Sequence, residues 1–243
     1  MNVLVTGGSR GLGASIVRLF AKKNWNIIIN YNNSKEEAKK LKEELEGTYN
    51  VYINTVKCDI SNEEEVKRMF KYIESDFGSL DCLVNNAGIA NDSMFLEKTK
   101  EDFTKVYETN LVGAFLCSKY ASKILNKDGS IINITSTNGI DTYYSYSADY
   151  DASKAALISL THNLAVELAP IRVNAIAPGW INTEMNKELD KEYVEEECKK
   201  ILLNRFAEPE EIANVVYFLA SSDAKYINNT IIRVDGGMNG IGY

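Results

Sequence analysis

The chain has 243 residues, 45% hydrophobic and 25% charged, which supplies a sizeable apolar core and excludes a disordered chain. Its net charge is −7, from 27 Lys and Arg against 34 Asp and Glu, which argues against a nucleic-acid binder and an anionic membrane surface. Four cysteines (Cys58, Cys82, Cys117 and Cys198) form no C-x-x-C pair and make no disulfide framework, so they read as reduced thiols of a cytoplasmic protein without a metal site.

The chain opens Met1-Asn2-Val3-Leu4-Val5-Thr6, with no cationic leader and no apolar run of the ~18 residues that a membrane span needs. Short β-branched runs predict strands over 3–6, 27–31, 51–57, 80–85, 130–135, 171–177 and 230–234. Helical spacing falls between them, over 12–23, 34–46, 63–77, 103–125, 152–168 and 210–220. Several strands are apolar on both faces, as parallel strands covered by helices on each side are. The alternation predicts one α/β domain, residues 1–243, with a Rossmann-type doubly wound parallel sheet of about seven strands. Ligands of such sheets sit at the carboxyl ends of the strands.

The first strand runs into Thr6-Gly7-Gly8-Ser9-Arg10-Gly11-Leu12-Gly13 and then a helix. Glycine serves where the chain turns with φ > 0 and where backbone must approach a phosphate closely. The helix N-terminus offers N–H groups and a positive dipole end to a pyrophosphate. A strand before the glycines and a helix after them is the context that makes such a loop a dinucleotide site. An NAD site places an acidic residue about 20 residues past the glycines. Here the second strand ends Asn30-Tyr31-Asn32-Asn33-Ser34-Lys35, with no acid before Glu36. Arg10 is a cation that can meet a 2′-phosphate, with Asn30, Asn32 and Ser34 as hydrogen-bonding partners, which favours NADP(H). In the competing reading Arg10 is solvated and residues 32–34 cap the next helix.

Tyr150 and Lys154 stand four apart, on one face of a helix start. A phenol titrates near 10, and a neighbouring ammonium lowers it. Such a pair is common in helices and alone means little; after the fifth strand and its Ser, Tyr150 can serve as general acid toward a carbonyl oxygen. Ser136, at the end of the fifth strand, is placed to hold that oxygen. Tyr143, Tyr144 and Tyr146 either line the cleft or are exposed loop aromatics. His162 is the only histidine and reads as structural, since it cannot build a metal site or a serine triad alone.

The T-G-x-x-x-G-x-G spacing, followed in order by Asn85-Asn86-Ala87-Gly88, Asn110, Ser136, Tyr150-Asp151-Ala152-Ser153-Lys154, Pro178-Gly179 and Val234-Asp235-Gly236-Gly237, resembles the short-chain dehydrogenase/reductase family across nearly the whole chain. The resemblance implies a catalytic set of Asn110, Ser136, Tyr150 and Lys154. Asn110 would support a helix distortion and a water linking Lys154 to solvent, and Lys154 would also hold the nicotinamide ribose. It implies cofactor contacts at Gly7, Ser9, Arg10, Gly11, Leu12, Gly13, Asp59, Ile60, Asn86, Ala87, Gly88, Pro178, Gly179, Ile181 and Thr183. Asp59 has a second reading, as a helix N-cap. The resemblance implies a homotetramer and a lid over residues 182–204, with Met185, Leu189, Tyr193 and Val194 on an apolar stripe.

Arg205-Phe206-Ala207-Glu208-Pro209 and Val234–Met238 look most like the branch that reduces 3-oxoacyl thioesters on acyl carrier protein in fatty acid synthesis. The alternatives are a sugar, polyol or small-alcohol dehydrogenase of the same family, or a dinucleotide sensor without turnover. Lys119, Lys123 and Lys127 fall at i, i+4 and i+8 and read as one helical stripe. That stripe is either a dock for the acidic carrier protein or a solvated helix face. Two departures stand out. Tyr150 follows Ser136 by 14 residues, one more than the family's usual spacing, and the link from Glu167 to Arg172 is shorter than usual.

Overall fold

The computed structural model describes residues 1–183 and 189–238; Met185 of the expected stripe lies outside them. The chain runs β1 (Asn2–Val5), α1 (Gly11–Lys22), β2 (Asn26–Tyr31), α2 (Lys35–Glu46), β3 (Ile53–Lys57), α3 (Glu63–Phe77) and β4 (Leu80–Asn85). It continues with α4 (Lys100–Tyr107), a π-helical turn (Glu108–Val112), α5 (Gly113–Ala121), β5 (Leu125–Ile134), α6 (Ala148–Glu167), β6 (Arg172–Pro178), α7 (Lys191–Lys199), α8 (Pro209–Ala220) and β7 (Ile231–Val234). The strands form one sheet in the order β3-β2-β1-β4-β5-β6-β7, and every pairing is parallel.

Strand residues alternate between two cores because successive side chains leave opposite faces. Val3, Val5, Ile27, Ile29, Cys82 and Val84 join α1, α2 and α8 in one core. Leu4, Ile28, Leu83, Ile131 and Val173 join α3, α5 and α6 in the other. The strand order reverses between β1 and β4, so a crevice opens at their carboxyl ends.

The predicted helix over 103–125 is a misreading of three elements. It begins earlier, at Lys100, because Thr99 and Asp102 form a capping box. A π-helical turn interrupts it. It ends at Ala121, since Leu125 pairs with Leu80 in the sheet. The lysine stripe disappears with it: Lys119 lies in α5, Lys123 in the turn that follows, and Lys127 in β5. The predicted helix over 152–168 instead starts at Ala148, which puts Tyr150 inside its first turn.

Phe20 anchors the first core, edge-on to Trp25 at 5.0 Å and to Tyr217 at 5.5 Å. Phe20→Ala is expected to cost about 3–5 kcal/mol in urea unfolding. A loss below about 1 kcal/mol, the level of surface substitutions, would contradict this packing.

Candidate active site

The glycine loop closes onto the end of β4. Gly7 turns at φ +60°, and a Cβ on Gly13 would lie 2.2 Å from the Gly7 carbonyl oxygen. The same Cβ would lie 2.7 Å from the Asn86 amide nitrogen. That nitrogen donates to the Thr6 carbonyl at 2.9 Å and the Gly7 carbonyl at 3.2 Å. Thr6, which the motif includes without a role, is fully buried. Its hydroxyl accepts the backbone N–H groups of Asn86 and Ala87, both at 3.0 Å. β1 and β4 are thereby locked at the crevice. No side chain caps the start of α1.

Asn30 has a different role from the one expected. It is buried, accepts the Gly7 N–H at 3.2 Å and donates to the Cys58 carbonyl at 3.0 Å. Its amide ties the loop to the end of β3, so both of its polar atoms are already bonded within the protein. The Ser9 and Ser34 hydroxyls meet at 2.6 Å, and Ser34 makes no side-chain cap on α2. Arg10 and Asn32 are exposed beside them. Asp59 accepts from the Ser61 N–H and hydroxyl at 3.0 and 2.7 Å, while Asn62 takes the cap of α3. The N-cap reading of Asp59 is therefore overturned. Ile60 is buried in the second core; a Cβ on Gly113 would lie 2.7 Å from its side chain.

Ser136 follows β5, Asn110 lies in the π-helical turn, and Tyr150 and Lys154 share the start of α6. Lys154 is buried, and its ammonium donates to the Ile134 carbonyl at 2.8 Å. It stands 5.5 Å from the centre of the Tyr150 ring. The turn after β5 packs directly on the α6 backbone: a Cβ on Gly139 would lie 2.7 Å from the Lys154 carbonyl carbon. Asn110 is buried in the π-helical turn, which excludes an exposed helix residue. Its amide bonds the Ile89 N–H and carbonyl at 2.8 and 2.9 Å and the Ser153 hydroxyl at 3.0 Å. Ser153 in turn donates to the Tyr150 carbonyl at 2.7 Å.

Burial pushes Lys154 down to about 8. Burial also pushes the Tyr150 phenol up, to about 12, and the Asp151 and Asp92 carboxylates add to this against the Ser136 hydroxyl. The expected lowering of the phenol by Lys154 is thus reversed. The ammonium faces the ring and gives a hydrogen bond to Ile134, and desolvation of the phenolate dominates. At neutral pH Tyr150 carries its proton.

An aromatic cluster gathers around Trp180, just after β6. Trp180 stacks on Phe206 at 5.2 Å and meets Tyr144 and Tyr193 edge-on at 6.0 and 6.2 Å. Its indole N–H donates to buried Glu197 on α7 at 3.2 Å. Tyr144 therefore packs in this aromatic cluster, while Tyr143 and Tyr146 are exposed. Asp151 organises this loop, accepting from Asn138 and Ser147 at 2.7 Å and from the Tyr144 N–H at 3.3 Å. After β6, Gly179 sits so close to Asp235 that a Cβ would lie 2.9 Å from its Cβ. Ile181 bridges to Ala207, and the Thr183 N–H returns to the Ile181 carbonyl at 2.9 Å. His162 pairs with Asn229 at 2.5 Å on the surface. Thr6, Gly139 and Asp151 are the positioning residues that the sequence reading missed; two of them lie inside motifs it quoted or beside them.

A family model described as Enoyl-(Acyl carrier protein) reductase matches residues 7–239. A 3-oxoacyl-[acyl-carrier-protein] reductase from Staphylococcus aureus is 41% identical over 241 residues, covering 98% of this chain and 97% of that one. The chain belongs to the short-chain dehydrogenase/reductase family. A solved member from Serratia marcescens superposes with a TM-score of 0.93 at 32% identity, over 97% of this chain and 96% of that one. A blue fluorescent protein from a metagenomic library, solved with NADPH, reaches 0.92 at 32% identity with the same coverage.

In this family member Thr6→Val removes the acceptor that two backbone N–H groups share; the Asn86 N–H keeps the Val84 carbonyl at 3.1 Å and the Ala87 N–H loses its bond. The substitution is expected to cost about 1–3 kcal/mol in urea unfolding, with most of the loss recovered in Thr6→Ser. Equal losses in the two variants would contradict the hydroxyl bridge.

Proposed function

We propose that the chain reduces a ketone to a secondary alcohol with NADPH, and that its substrate is a 3-oxoacyl thioester. The convergence of Ser136, a protonated Tyr150 and buried Lys154 beside the glycine loop carries this reading. The name of the Staphylococcus aureus relative supports the substrate class.

The glycine loop fits a dinucleotide: no side chain caps α1, and Gly13 leaves no room for a Cβ. When bound, NADPH supplies a hydride to the carbonyl carbon. Tyr150 donates its phenolic proton to the carbonyl oxygen, which Ser136 orients by hydrogen bond. The Lys154 ammonium stabilises the phenolate so formed and would hold the nicotinamide ribose. Asn110 holds the π-helical turn open for a water that returns the proton. Gly7, Ser9, Gly11, Leu12 and Gly13 would cradle the pyrophosphate. Arg10, Ser9, Asn32 and Ser34 would hold the 2′-phosphate. Asp59, Ile60, Asn86, Ala87 and Gly88 would line the adenosine half, and Pro178, Gly179, Ile181 and Thr183 the nicotinamide.

The described part of the expected lid, residues 189–204, would cover the substrate, with α7 held by Trp180 and Glu197; residues 184–188 lie outside the described residues. Apolar Leu111 and Val112 of the π-helical turn, Phe115 of α5 and Leu160 of α6 line a groove, which supports assembly of copies into a homotetramer. Carrier-protein docking lacks the lysine stripe expected for it, and Lys119 is bonded to Glu63 at 3.0 Å. A cytoplasmic location accords with the free, buried Cys58, Cys82 and Cys117. Among the described residues no helix is long and apolar enough to cross a membrane.

The test is NADPH oxidation with acetoacetyl thioesters on coenzyme A and on acyl carrier protein, beside a polyol panel. Turnover on the thioesters is expected, with NADPH preferred over NADH and Tyr150→Phe slower by about 10²- to 10⁴-fold. Arg10→Ala is expected to reduce the NADPH preference about tenfold. Turnover on polyols alone would overturn the substrate class; NADPH binding without turnover would point to a sensor.

A further inference from the structure

Two carboxylates flank Tyr150 in the first turn of α6. Asp151 gathers the loop that holds Tyr144. Asp149 pairs instead with Lys98 at 2.8 Å, and the two side chains are 0% and 2% exposed. The Lys98 ammonium also donates to the Asn91 carbonyl at 2.6 Å. One Asp149 oxygen accepts the backbone N–H of Tyr150 itself at 2.9 Å. The other has no hydrogen-bond partner among the described residues. The same segment is tied a second time, by the Ser93 N–H to the Tyr146 carbonyl at 3.2 Å.

A fully buried ion pair with a half-satisfied carboxylate is a poor source of stability, because desolvation offsets its attraction and an apolar pair of like volume does as well. Such a pair does set the register of the segments that it joins. Here those segments are residues 91–98, which follow the Asn86–Gly88 turn, and the backbone of the proposed proton donor. The acidic side chain also lies at a helix N-terminus, where negative charge is favoured.

We infer that the Lys98–Asp149 pair is a positioning device for Tyr150, fixing its backbone against the segment after β4 so that the phenol meets the reacting oxygen. The inference rests on the reading of Tyr150 as proton donor. Lys98 and Asp149 act through Tyr150 and are positioning residues.

The test compares Lys98→Met, Asp149→Asn and the double variant in the full-length protein with NADPH and an acetoacetyl thioester, well below the melting temperature of the weakest variant. Lys98→Met alone strands a buried carboxylate and is expected to lower the melting temperature. The double variant removes both charges and keeps an oxygen for the Tyr150 N–H, so its melting temperature is expected to return toward wild type. Its kcat is expected to stay about 10- to 100-fold down, with KM for NADPH within about twofold. The solvent deuterium isotope effect on kcat is expected to grow as proton transfer becomes slower. A double variant with wild-type kcat and isotope effect would overturn the inference, as would a loss carried by KM for NADPH rather than kcat. Tyr150→Phe is run alongside. If it keeps wild-type turnover, the proton-donor reading fails separately from the positioning claim.

Discussion

A buried ammonium holds the catalytic end of this molecule together. Lys154 lies where β5, α6 and the turn after β5 meet, and its bond to the Ile134 carbonyl sets how far α6 slides along the sheet. Burying a charge is costly unless it is paired. Here a neutral carbonyl is its hydrogen-bond acceptor, and the side chain responds by titrating near 8. Gly139 lets the turn press on the Lys154 backbone, which brings Ser136 to the phenol. Gly88 lies on the other side, where a Cβ would come 3.3 Å from both the ammonium and the Asn110 oxygen. A shift of α6 by one residue would separate all of these groups.

The dinucleotide crevice depends on a second set of contacts with the same logic. Parallel strands end together, so one short side chain can bridge two ends. Thr6 does so between β1 and β4, and Asn30 between the glycine loop and β3. Both are fully enclosed polar groups with partners on neighbouring strands, which rigidify a site rather than solvate it. The two half-sites share the Asn86–Gly88 turn. The proposed cofactor cradle and the proposed proton donor are thereby held to one frame.

The sheet was legible because its strands are apolar on both faces and alternate with amphipathic segments. That Ser136, at the end of β5, comes beside Tyr150 and Lys154, at the start of α6, was legible from the strand-then-helix order around them. Other features were not. A π-helical turn keeps the apolar pattern of an α-helix, so the spacing shows no break over residues 108–112, where the family resemblance implied a distortion at Asn110, and the lysine stripe was extended past the real end at Ala121. Asn30 looked like a ligand because position along the chain does not reveal which way a side chain turns. The direction of the Tyr150 shift was misjudged because a lysine four residues on is visible in the sequence, whereas burial is not. The Lys98–Asp149 pair joins positions far apart in sequence and leaves no local pattern.

If the buried ammonium governs proton transfer, its titration must govern activity. A lysine whose value is lowered by folding is charged below that value and neutral above it. The most direct measurement is the pH profile of kcat/KM for ketone reduction, which reports the groups of the free enzyme. The account predicts a constant rate at neutral pH that falls as pH rises through about 8, where Lys154 loses its proton. A profile that stays level until about 10.4, the ordinary lysine value, would contradict it.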